Sequence, residues 1–315
     1  MDLSQVLHLS VLTRYHYFFN YSLPMRQIGS PITLTTDFGY QDEYVGVMKG
    51  VILSLNKRVP VVDLVHNIPP QDISQAAKVL VDNYKYFPAG TVHVAIVDPG
   101  VGSQRRILAI KTDEHIFIGP DNGIFTPLLV NEASLEIYSV ENKKLFRGYV
   151  SKTFHGRDIM APVAAWLASG LSITHVGERV PINSCTVIGL KEPVLQSNGI
   201  AGEVLSIDSF GNIRTNITKA YLDELSFTDQ PFLITKSYAL TISSGSYSDV
   251  DDHLPAAIIN SSGELEICIK DGNAARMLRI DKGERVFVRG HHHIDCLNIG
   301  MVEQGMVSQT DFHTQ

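Results

Sequence analysis

The sequence predicts an α/β domain with a mostly parallel sheet, followed by a smaller all-β, barrel-like domain. From residue 32 onward, apolar strand-like segments alternate with helix-like segments, which is typical of βαβ units in a parallel sheet. After about residue 184 the segments become short and rich in β-forming residues, with Gly, Asn, Asp and Ser between them, as in small barrels and sandwiches. Because 315 residues exceed what one hydrophobic core usually serves, two domains are expected.

In the first domain, short apolar runs predict buried strands and longer segments of helix-forming residues predict the helices that cover them. The predicted strands span residues 32–36, 59–64, 91–97, 108–112 and 115–119, the last two as a pair, and the predicted helices span residues 43–55, 73–84, 123–130 and 157–168. The last helix contains a run of alanines and Trp166, a composition that favours a helix packed against a core.

The second domain is expected to consist of short strands separated by turn residues. Its predicted strands span residues 199–206, 213–217, 232–234, 239–242, 255–259, 265–269 and 284–288. The predicted organisation is an N-terminal extension at residues 1–30, the α/β domain at 31–187, a linker at 188–198, the β-barrel domain at 199–305 and a tail at 306–315. The extension lacks a basic start followed by an apolar core, so no signal peptide is predicted.

Composition and charge disfavour several classes of protein. Hydrophobic residues make up 44% of the chain and charged residues 19%, which predicts a compact enzyme or binding protein rather than a disordered chain. The 26 basic and 33 acidic residues give a net charge of -7, which does not favour nucleic acid as a partner. No apolar run approaches the length of a membrane span, so no membrane partner is expected either.

The sequence predicts neither a disulfide framework nor a metal site. Cys185, Cys268 and Cys296 are far apart and form no CxxC pair, so we expect reduced thiols in a cytoplasmic protein. Residues 291–293 are all histidine, but three consecutive side chains of a strand cannot face one ion. An exposed loop is predicted there.

Carboxylates follow three predicted strands of the first domain. Asp37 follows the first strand, Asp72 closes a polar run after the second, and Asp98 follows the third. Ligands of open α/β sheets bind beyond the carboxyl ends of the strands, where a carboxylate can bind ribose hydroxyls, balance a cationic substrate or act as a base. Taken alone, the Asp-Pro-Gly run at residues 98–100 is equally typical of a turn.

Other polar residues can likewise be interpreted either as functional residues or as ordinary structural ones. His155 precedes the predicted helix at residues 157–168, and a single histidine there is more typical of a helix cap or a surface position than of catalysis. The polar runs at residues 207–216 and 260–263 are rich in Asp, Asn, Ser and Gly, which occur both in ligand contacts and in β-turns.

Common cofactor and hydrolase motifs do not occur in the sequence. Gly100-Val101-Gly102 lacks the third glycine and the following acidic residue of a dinucleotide fingerprint. There is no Walker A sequence, no Gly-x-Ser-x-Gly elbow and no His-Glu-x-x-His motif. Nicotinamide enzymes, P-loop enzymes, serine hydrolases and zinc peptidases are therefore disfavoured, and no cofactor is expected.

Five motifs, taken together and in order, carry a resemblance to a known family. They are Thr36-Asp37-Phe38-Gly39, Pro70-Gln71-Asp72, Asp98-Pro99-Gly100-Val101-Gly102, Thr153-Phe154-His155-Gly156-Arg157-Asp158 and Asp208-Ser209-Phe210-Gly211-Asn212. With them the chain resembles the S-adenosylmethionine (SAM) hydroxide adenosyltransferases, which are adenosine-forming SAM hydrolases and sisters of fluorinase and chlorinase. The similarity runs from about residue 32 to about residue 288.

The resemblance implies that water or hydroxide attacks the ribose C5′ of SAM, giving adenosine and L-methionine. The family's Asp-Arg-His triad falls on Asp98, Arg105 and His155, with Arg105 rather than Arg106 at the matching spacing. The halogenating relatives carry other residue types where Asp98 and His155 stand, so the triad favours water over halide. The alternatives are a halide-using adenosyltransferase and a non-catalytic SAM or adenosine sensor.

The resemblance also implies substrate contacts and an assembly. Asp37 would bind the ribose hydroxyls, Asp42 and Ser261 would hold the methionine end, and Phe154 and Tyr247 would flank the nucleoside. The full set of implied substrate-binding residues is Asp37, Asp42, Asp72, Phe154, Asp208, Asn212, Tyr247, Ser261, Glu266 and Ala274. The implied partners are SAM, adenosine and L-methionine, and the implied assembly is a homotrimer whose sites lie between the first domain of one subunit and the second domain of its neighbour.

Overall fold

A computed structural model describes residues 29–225, 227, 230–290 and 300–302. The chain divides into two compact units, Met1–Val187 and Ile188–Gln315. Most of the predicted N-terminal extension, the predicted tail, Cys296 and the histidines at residues 291–293 lie outside the described residues. In the part of the chain that is described, no helix has the length and apolar character needed to cross a membrane.

The first unit is built around a six-stranded sheet. Its strands are β1 (Ile32–Thr36), β2 (Val61–Val65), β3 (Val92–Ile96), β4 (Ile107–Lys111), β5 (Ile116–Pro120) and β6 (Glu136–Ser139). In the spatial order β2-β1-β3-β5-β4-β6, the first four strands pair in parallel, whereas β4 runs antiparallel to both of its neighbours. The predicted α/β class with a mostly parallel sheet is confirmed.

Helices pack on both faces of this sheet. They are α1 (Tyr44–Leu55), α2 (Ile73–Asn83), α3 (Thr126–Asn131) and α4 (Ala161–Ala168), which continues from a π-helical turn at Gly156–Met160. Because side chains alternate along a strand, Val94 and Ile96 of β3 pack into one core with α1 and α4, and Ala95 packs into another with α2 and α3.

A buried threonine–histidine pair lies inside the sheet, before the carboxyl ends of its strands. Thr33 of β1 and His93 of β3 are fully buried, and Thr33 Oγ1 lies 2.8 Å from His93 Nδ1. Burial, helped by the nearby His115, lowers the pKa of His93 to about 3. The His93 ring is therefore neutral at physiological pH and belongs to the packed interior.

The second unit is a β-barrel with two short helices. Its strands are β7 (Val194–Gln196), β8 (Gly199–Ile207), β9 (Ile213–Thr218), β10 (Pro231–Ile234), β11 (Tyr238–Ser243), β12 (Pro255–Ile259), β13 (Glu264–Ile269), β14 (Arg285–Gly290) and β15 (Gly300–Val302), and its helices are α5 (Lys219–Glu224) and α6 (Ala274–Leu278). Seven strands close a ring in the order β10-β14-β8-β9-β13-β12-β11, because β11 pairs back with β10. Buried side chains such as Val204, Leu240 and Ile267 form its core. The predicted barrel-like class is confirmed.

Strands β6, β7 and β15 were not predicted from the sequence. β6 is four residues long and begins at Glu136, so its apolar pattern is too short to stand out, and its pairing with β4 is what defines it. β7 consists of exposed residues and pairs with β8. The stretch expected to be a linker, residues 188–198, therefore contains a strand of the barrel sheet.

Candidate active site

The parallel strands of the first unit end at one edge of the sheet. Thr36 of β1 lies opposite Ile96 of β3 in the parallel register, so Asp37 and Asp98 follow neighbouring strand ends. This is the edge at which open α/β sheets bind their ligands. Two of the three carboxylates predicted from the sequence therefore follow the ends of adjacent strands.

Asp98, Arg105 and His155 form a continuous array beyond this edge. Arg105 Nε donates to Asp98 Oδ1 at 2.8 Å, and Arg105 Nη2 donates to Asp98 Oδ2. The same Nη2 lies 3.1 Å from His155 Nδ1. The side chains of Asp98 and Arg105 are only 5% and 9% exposed, so their bidentate ion pair is shielded from water and held in a fixed geometry.

The array determines how His155 carries its proton. A guanidinium group has donors only, so His155 Nδ1 accepts from Arg105 and the neutral ring carries its hydrogen on Nε2. Burial, and after it the positive charge of Arg105, lower the pKa of His155 against the opposing effects of Asp98 and Asp158. His155 is therefore neutral at physiological pH.

Two glycines let the chain bring His155 to this position. Gly102 has a φ of +79°, and a Cβ there would collide with the carbonyl oxygen of Lys152, so the loop after Asp98 approaches the segment before His155 through a residue without a side chain. At Gly156 a Cβ would lie 3.0 Å from the Ile96 side chain. The π-helical turn can therefore pack closely on the end of β3.

Asp158 fixes the segment that precedes His155. Its buried carboxylate accepts the backbone N–H of Ser151 at 2.9 Å, and it pairs with Arg157 at 2.7 Å and with Arg147 at 3.3 Å. Although burial alone would raise it, the hydrogen bonds from Arg157 and Ser151 hold the pKa of Asp158 at about 2. Asp158 is thus a charged anchor for this segment.

Asp37 lies in the turn that follows β1. Its Oδ2 accepts the backbone N–H of Gln71 at 2.9 Å. The rings of Phe38 and Phe154 meet edge to face with centroids 5.9 Å apart, and Tyr44 packs against both rings at 5.7 and 5.3 Å. This aromatic cluster links the Asp37 turn to the segment that carries the histidine of the array.

The other predicted binding residues of the first unit are placed differently. Asp42 is exposed in the loop before α1. Asp72 is the N-cap of α2, where its side chain accepts the backbone N–H of Gln75 at 3.0 Å. That bond satisfies a donor in the first turn of the helix, so Asp72 has a structural role as the cap of α2.

Arg106 belongs to a separate ion pair. Its Nε and Nη2 donate to Asp121 Oδ2 at 2.9 and 2.6 Å, and Asp121 also accepts the backbone N–H of Thr186 at 2.7 Å. Asp121 follows β5, the strand next to β3. The two adjacent arginines therefore serve two different carboxylates, and the one paired with Asp98 is Arg105.

In the second unit, Asp208 and Asn212 share a tight turn between β8 and β9. Asp208 Oδ1 accepts the backbone N–H groups of Phe210 and Asn212, both at 2.9 Å, and Asp208 Oδ2 accepts from Asn212 Nδ2 at 3.2 Å. This segment is a turn, as one of the two sequence interpretations held. The same hydrogen bonds also present the two side chains side by side.

A buried carboxylate of β13 lies beside this turn. Glu266 is 1% exposed, and it accepts from Tyr247 Oη at 2.6 Å and from Asn260 Nδ2 at 3.0 Å. The guanidinium of Arg214 lies 3.5 Å from Glu266 and 3.9 Å from Asp208. The structure therefore connects Tyr247, Glu266 and Asp208 in one polar cluster.

Ser261 and Ala274 flank this cluster. Ser261 is exposed and directly follows Asn260. Ala274 is buried at the start of α6, and the next residue, Ala275, donates its backbone N–H to Gly211 at 3.0 Å. The beginning of α6 is thus joined to the turn that holds Asp208.

Sequence reasoning did not select His66, Arg214 or Asn260 as site residues. His66 directly follows β2, as Asp37 follows β1, so the strand-end pattern could have found it. Arg214 is the second residue of β9 and lies opposite Glu266 of β13 in the antiparallel register, which the sequence alone does not show. Asn260 belongs to the polar run at residues 260–263, and its contact with Glu266 is visible only in the structure.

The array of the first unit has the groups needed to bind and orient water. Each oxygen of Asp98 accepts one hydrogen bond from Arg105 and keeps a lone pair for another donor. The Nε2 hydrogen of neutral His155 is a second point of attachment. Among the residues that the structure describes, no group of three or more His, Cys, Asp and Glu side chains could hold a metal ion.

Family models match both units of the chain. The SAM hydroxide adenosyltransferase N-terminal domain matches residues 32–177, and the SAM hydroxide adenosyltransferase C-terminal domain matches residues 202–287. The chain belongs to the SAM hydroxide adenosyltransferase family. The resemblance carried by the five sequence motifs is therefore confirmed.

Curated relatives and a solved structure are similar to this chain over most of its length. Proteins named (R)-S-adenosyl-L-methionine hydrolase from Salinispora tropica and Thermus thermophilus are each 34% identical to it over 263 residues, covering 82% and 80% of this chain and 97% of each relative. A fluorinase from an Actinoplanes species is 28% identical over 222 residues, covering 62% of this chain and 74% of the relative. The crystal structure of an uncharacterized conserved protein from Thermotoga maritima is 34% identical with a TM-score of 0.76, covering 82% of this chain and 99% of that one.

Proposed function

We propose that this protein hydrolyses SAM by attack of water or hydroxide on the ribose C5′, giving adenosine and L-methionine. The observation that carries the proposal is the Asp98–Arg105–His155 array at the edge of the sheet. It occurs in a member of the SAM hydroxide adenosyltransferase family whose relatives at 34% identity are named SAM hydrolases.

The chemistry of SAM determines what such an enzyme must supply. The sulfonium is already a good leaving group, so no acid is needed to protonate it. Water is a weak nucleophile, and holding it in line behind C5′ lowers the activation barrier of the substitution through orientation. In this proposal Asp98 and His155 orient the water and help to deprotonate it, while Arg105 fixes the carboxylate and steadies the developing hydroxide charge.

The substrate contacts are part of the same proposal. Asp37 binds the ribose hydroxyls, Asp42 and Ser261 hold the methionine end, and Phe154 and Tyr247 flank the nucleoside. The remaining proposed contacts are Asp72, Asp208, Asn212, Glu266 and Ala274. In the second unit, hydrogen bonds and ion pairs connect the Asp208 turn with Glu266 and with the start of α6. These contacts support one binding surface for Asp208, Asn212, Glu266 and Ala274.

We propose that the protein is a cytoplasmic homotrimer with its sites at the subunit boundaries. The family resemblance is the support for the trimer. The widely spaced cysteines, of which Cys185 and Cys268 are free and buried, are consistent with a reducing compartment.

Product analysis in chloride-free and chloride-containing buffers tests the reaction. We expect adenosine and methionine in equal amounts in both buffers, because the array is suited to water rather than halide. A 5′-halogenated deoxyadenosine as the main product would establish the halide reaction instead. Tight nucleoside binding without methionine release over hours would establish a sensor.

A further inference from the structure

We infer that Thr36 and His66 are positioning residues for Asp37, acting through a hydrogen-bonded chain that begins at the half-buried Lys49 and ends at these two buried residues. The inference rests on the proposed function, since it concerns how the ribose-binding carboxylate is held. Neither residue carries a role in the substrate contacts proposed above, and neither touches the reacting atoms in this account. Their effect on the reaction is exerted through the turn that contains Asp37.

The chain joins α1, β2 and β1. Lys49 Nζ lies 2.6 Å from Asp63 Oδ2, Asp63 Oδ1 lies 3.0 Å from His66 Nε2, and His66 Nδ1 lies 2.8 Å from Thr36 Oγ1. Thr36 and His66 are fully buried. Although burial alone would raise it, hydrogen bonds from Lys49 and His66 hold the pKa of Asp63 below its ordinary value, so Asp63 is a charged acceptor at physiological pH.

His66 holds the Asp37 turn from both sides. Thr36 Oγ1, to which the ring is bonded, accepts the backbone N–H of Phe38 at 3.2 Å. The backbone carbonyl of His66 accepts the N–H of Gly39 at 2.8 Å. Two hydrogen bonds therefore hold the turn at Asp37. One is accepted by the Thr36 hydroxyl that contacts the His66 ring, and the other is accepted by the His66 backbone.

The bonds of this chain have a fixed direction. The Asp63 carboxylate only accepts, so His66 Nε2 donates to it and Nδ1 is turned toward the Thr36 hydroxyl. The rings of Tyr40 and His66 also meet in a T-shaped arrangement with centroids 5.0 Å apart. Because Thr36 and His66 are fully buried, their hydrogen bonds restrict these two side chains to one arrangement.

A purely structural pair on the same strand provides a matched comparison. Thr33 and His93 make the same Oγ1 to Nδ1 contact, also at 2.8 Å and also fully buried, but Thr33 lies three positions before the strand end. Thr33→Val and Thr36→Val thus each remove a buried hydroxyl that contacts a histidine ring. Only the second change loosens the Asp37 turn.

The test measures the affinities of the whole protein for adenosine and for 2′,3′-dideoxyadenosine, which lacks both ribose hydroxyls, by calorimetry. The wild type is expected to prefer adenosine by about tenfold or more, since the hydroxyls bind a charged acceptor. Thr36→Val is expected to reduce that preference by about fivefold, because one fixing hydrogen bond is lost. Thr36→Ser, which restores the hydroxyl, and Thr33→Val are both expected to keep the wild-type preference.

A double-mutant cycle shows whether Thr36 acts through Asp37. In an Asp37→Ala background the preference is expected to be near one, and Thr36→Val is expected to change it no further. The inference is overturned if Thr36→Val keeps the wild-type preference, if Thr33→Val loses as much, if Thr36→Ser does not restore it, or if the wild type has no preference. Adenosine binding needs no turnover, so a protein that keeps the expected preferences but never cleaves SAM contradicts the proposed function and leaves this inference standing.

Discussion

Asp98→Asn is expected to reduce the rate of adenosine release from SAM by about a hundredfold or more, because it removes a group that orients and activates the water. The amide keeps the shape of the side chain but has only one acceptor oxygen. It can therefore no longer receive both Arg105 donors and also bind water. Single-turnover analysis by liquid chromatography measures the effect directly.

Asp121→Asn is the control for this change. Asp121 also follows a strand of the same sheet and also pairs with an arginine, so its replacement disturbs a similar ion pair outside the array. We expect Asp121→Asn to lower the thermal unfolding temperature while SAM turnover stays within about threefold of the wild type, as for changes that cost stability alone. Equal activity losses in the two variants would contradict a chemical role for Asp98.

Arg105→Lys is expected to lower kcat/KM for SAM by about tenfold to a hundredfold, because lysine cannot replace a planar, bidentate donor. Arg105 bonds both Asp98 oxygens and His155 at once. A single ammonium group on a flexible stem cannot hold all three contacts in place. Steady-state kinetics at saturating and limiting SAM separates the loss of rate from any loss of binding.

The adjacent Arg106→Lys provides the comparison. Arg106 bonds Asp121, so the same substitution one position later keeps the array intact. Its kcat/KM is expected to stay within about threefold of the wild type, as the reacting groups are untouched. The reverse order of effects would assign the catalytic role to Arg106 and would show that the spacing argument selected the wrong arginine.

The sequence carried enough information to predict the layered architecture of the first unit. Its parallel strands are short segments of mostly apolar and β-branched residues, and Asp37 and Asp98 stand out because each follows such a segment. The convergence of Asp98, Arg105 and His155 could not be derived from the pattern alone. It depends on a close approach at Gly102 and on the packing of Gly156, and both are contacts between distant segments.

Other features depend on partners that the local pattern does not contain. His66 is a single polar residue after β2, and its importance becomes visible only through Thr36, thirty positions away in sequence. In the second unit, the sequence around Asn260 is typical of a turn, and the contact between Asn260 and Glu266 is visible only in the structure. The π-helical turn after His155 likewise replaces the regular helix start expected there.

The source of the oxygen in the product tests the central claim most directly. SAM is incubated with the enzyme in oxygen-18-labelled water, and adenosine and methionine are analysed by mass spectrometry. Attack of water on C5′ predicts one labelled oxygen in adenosine, at the 5′ position, and no label in methionine. Unlabelled adenosine, or cleavage products other than adenosine and methionine, would contradict it.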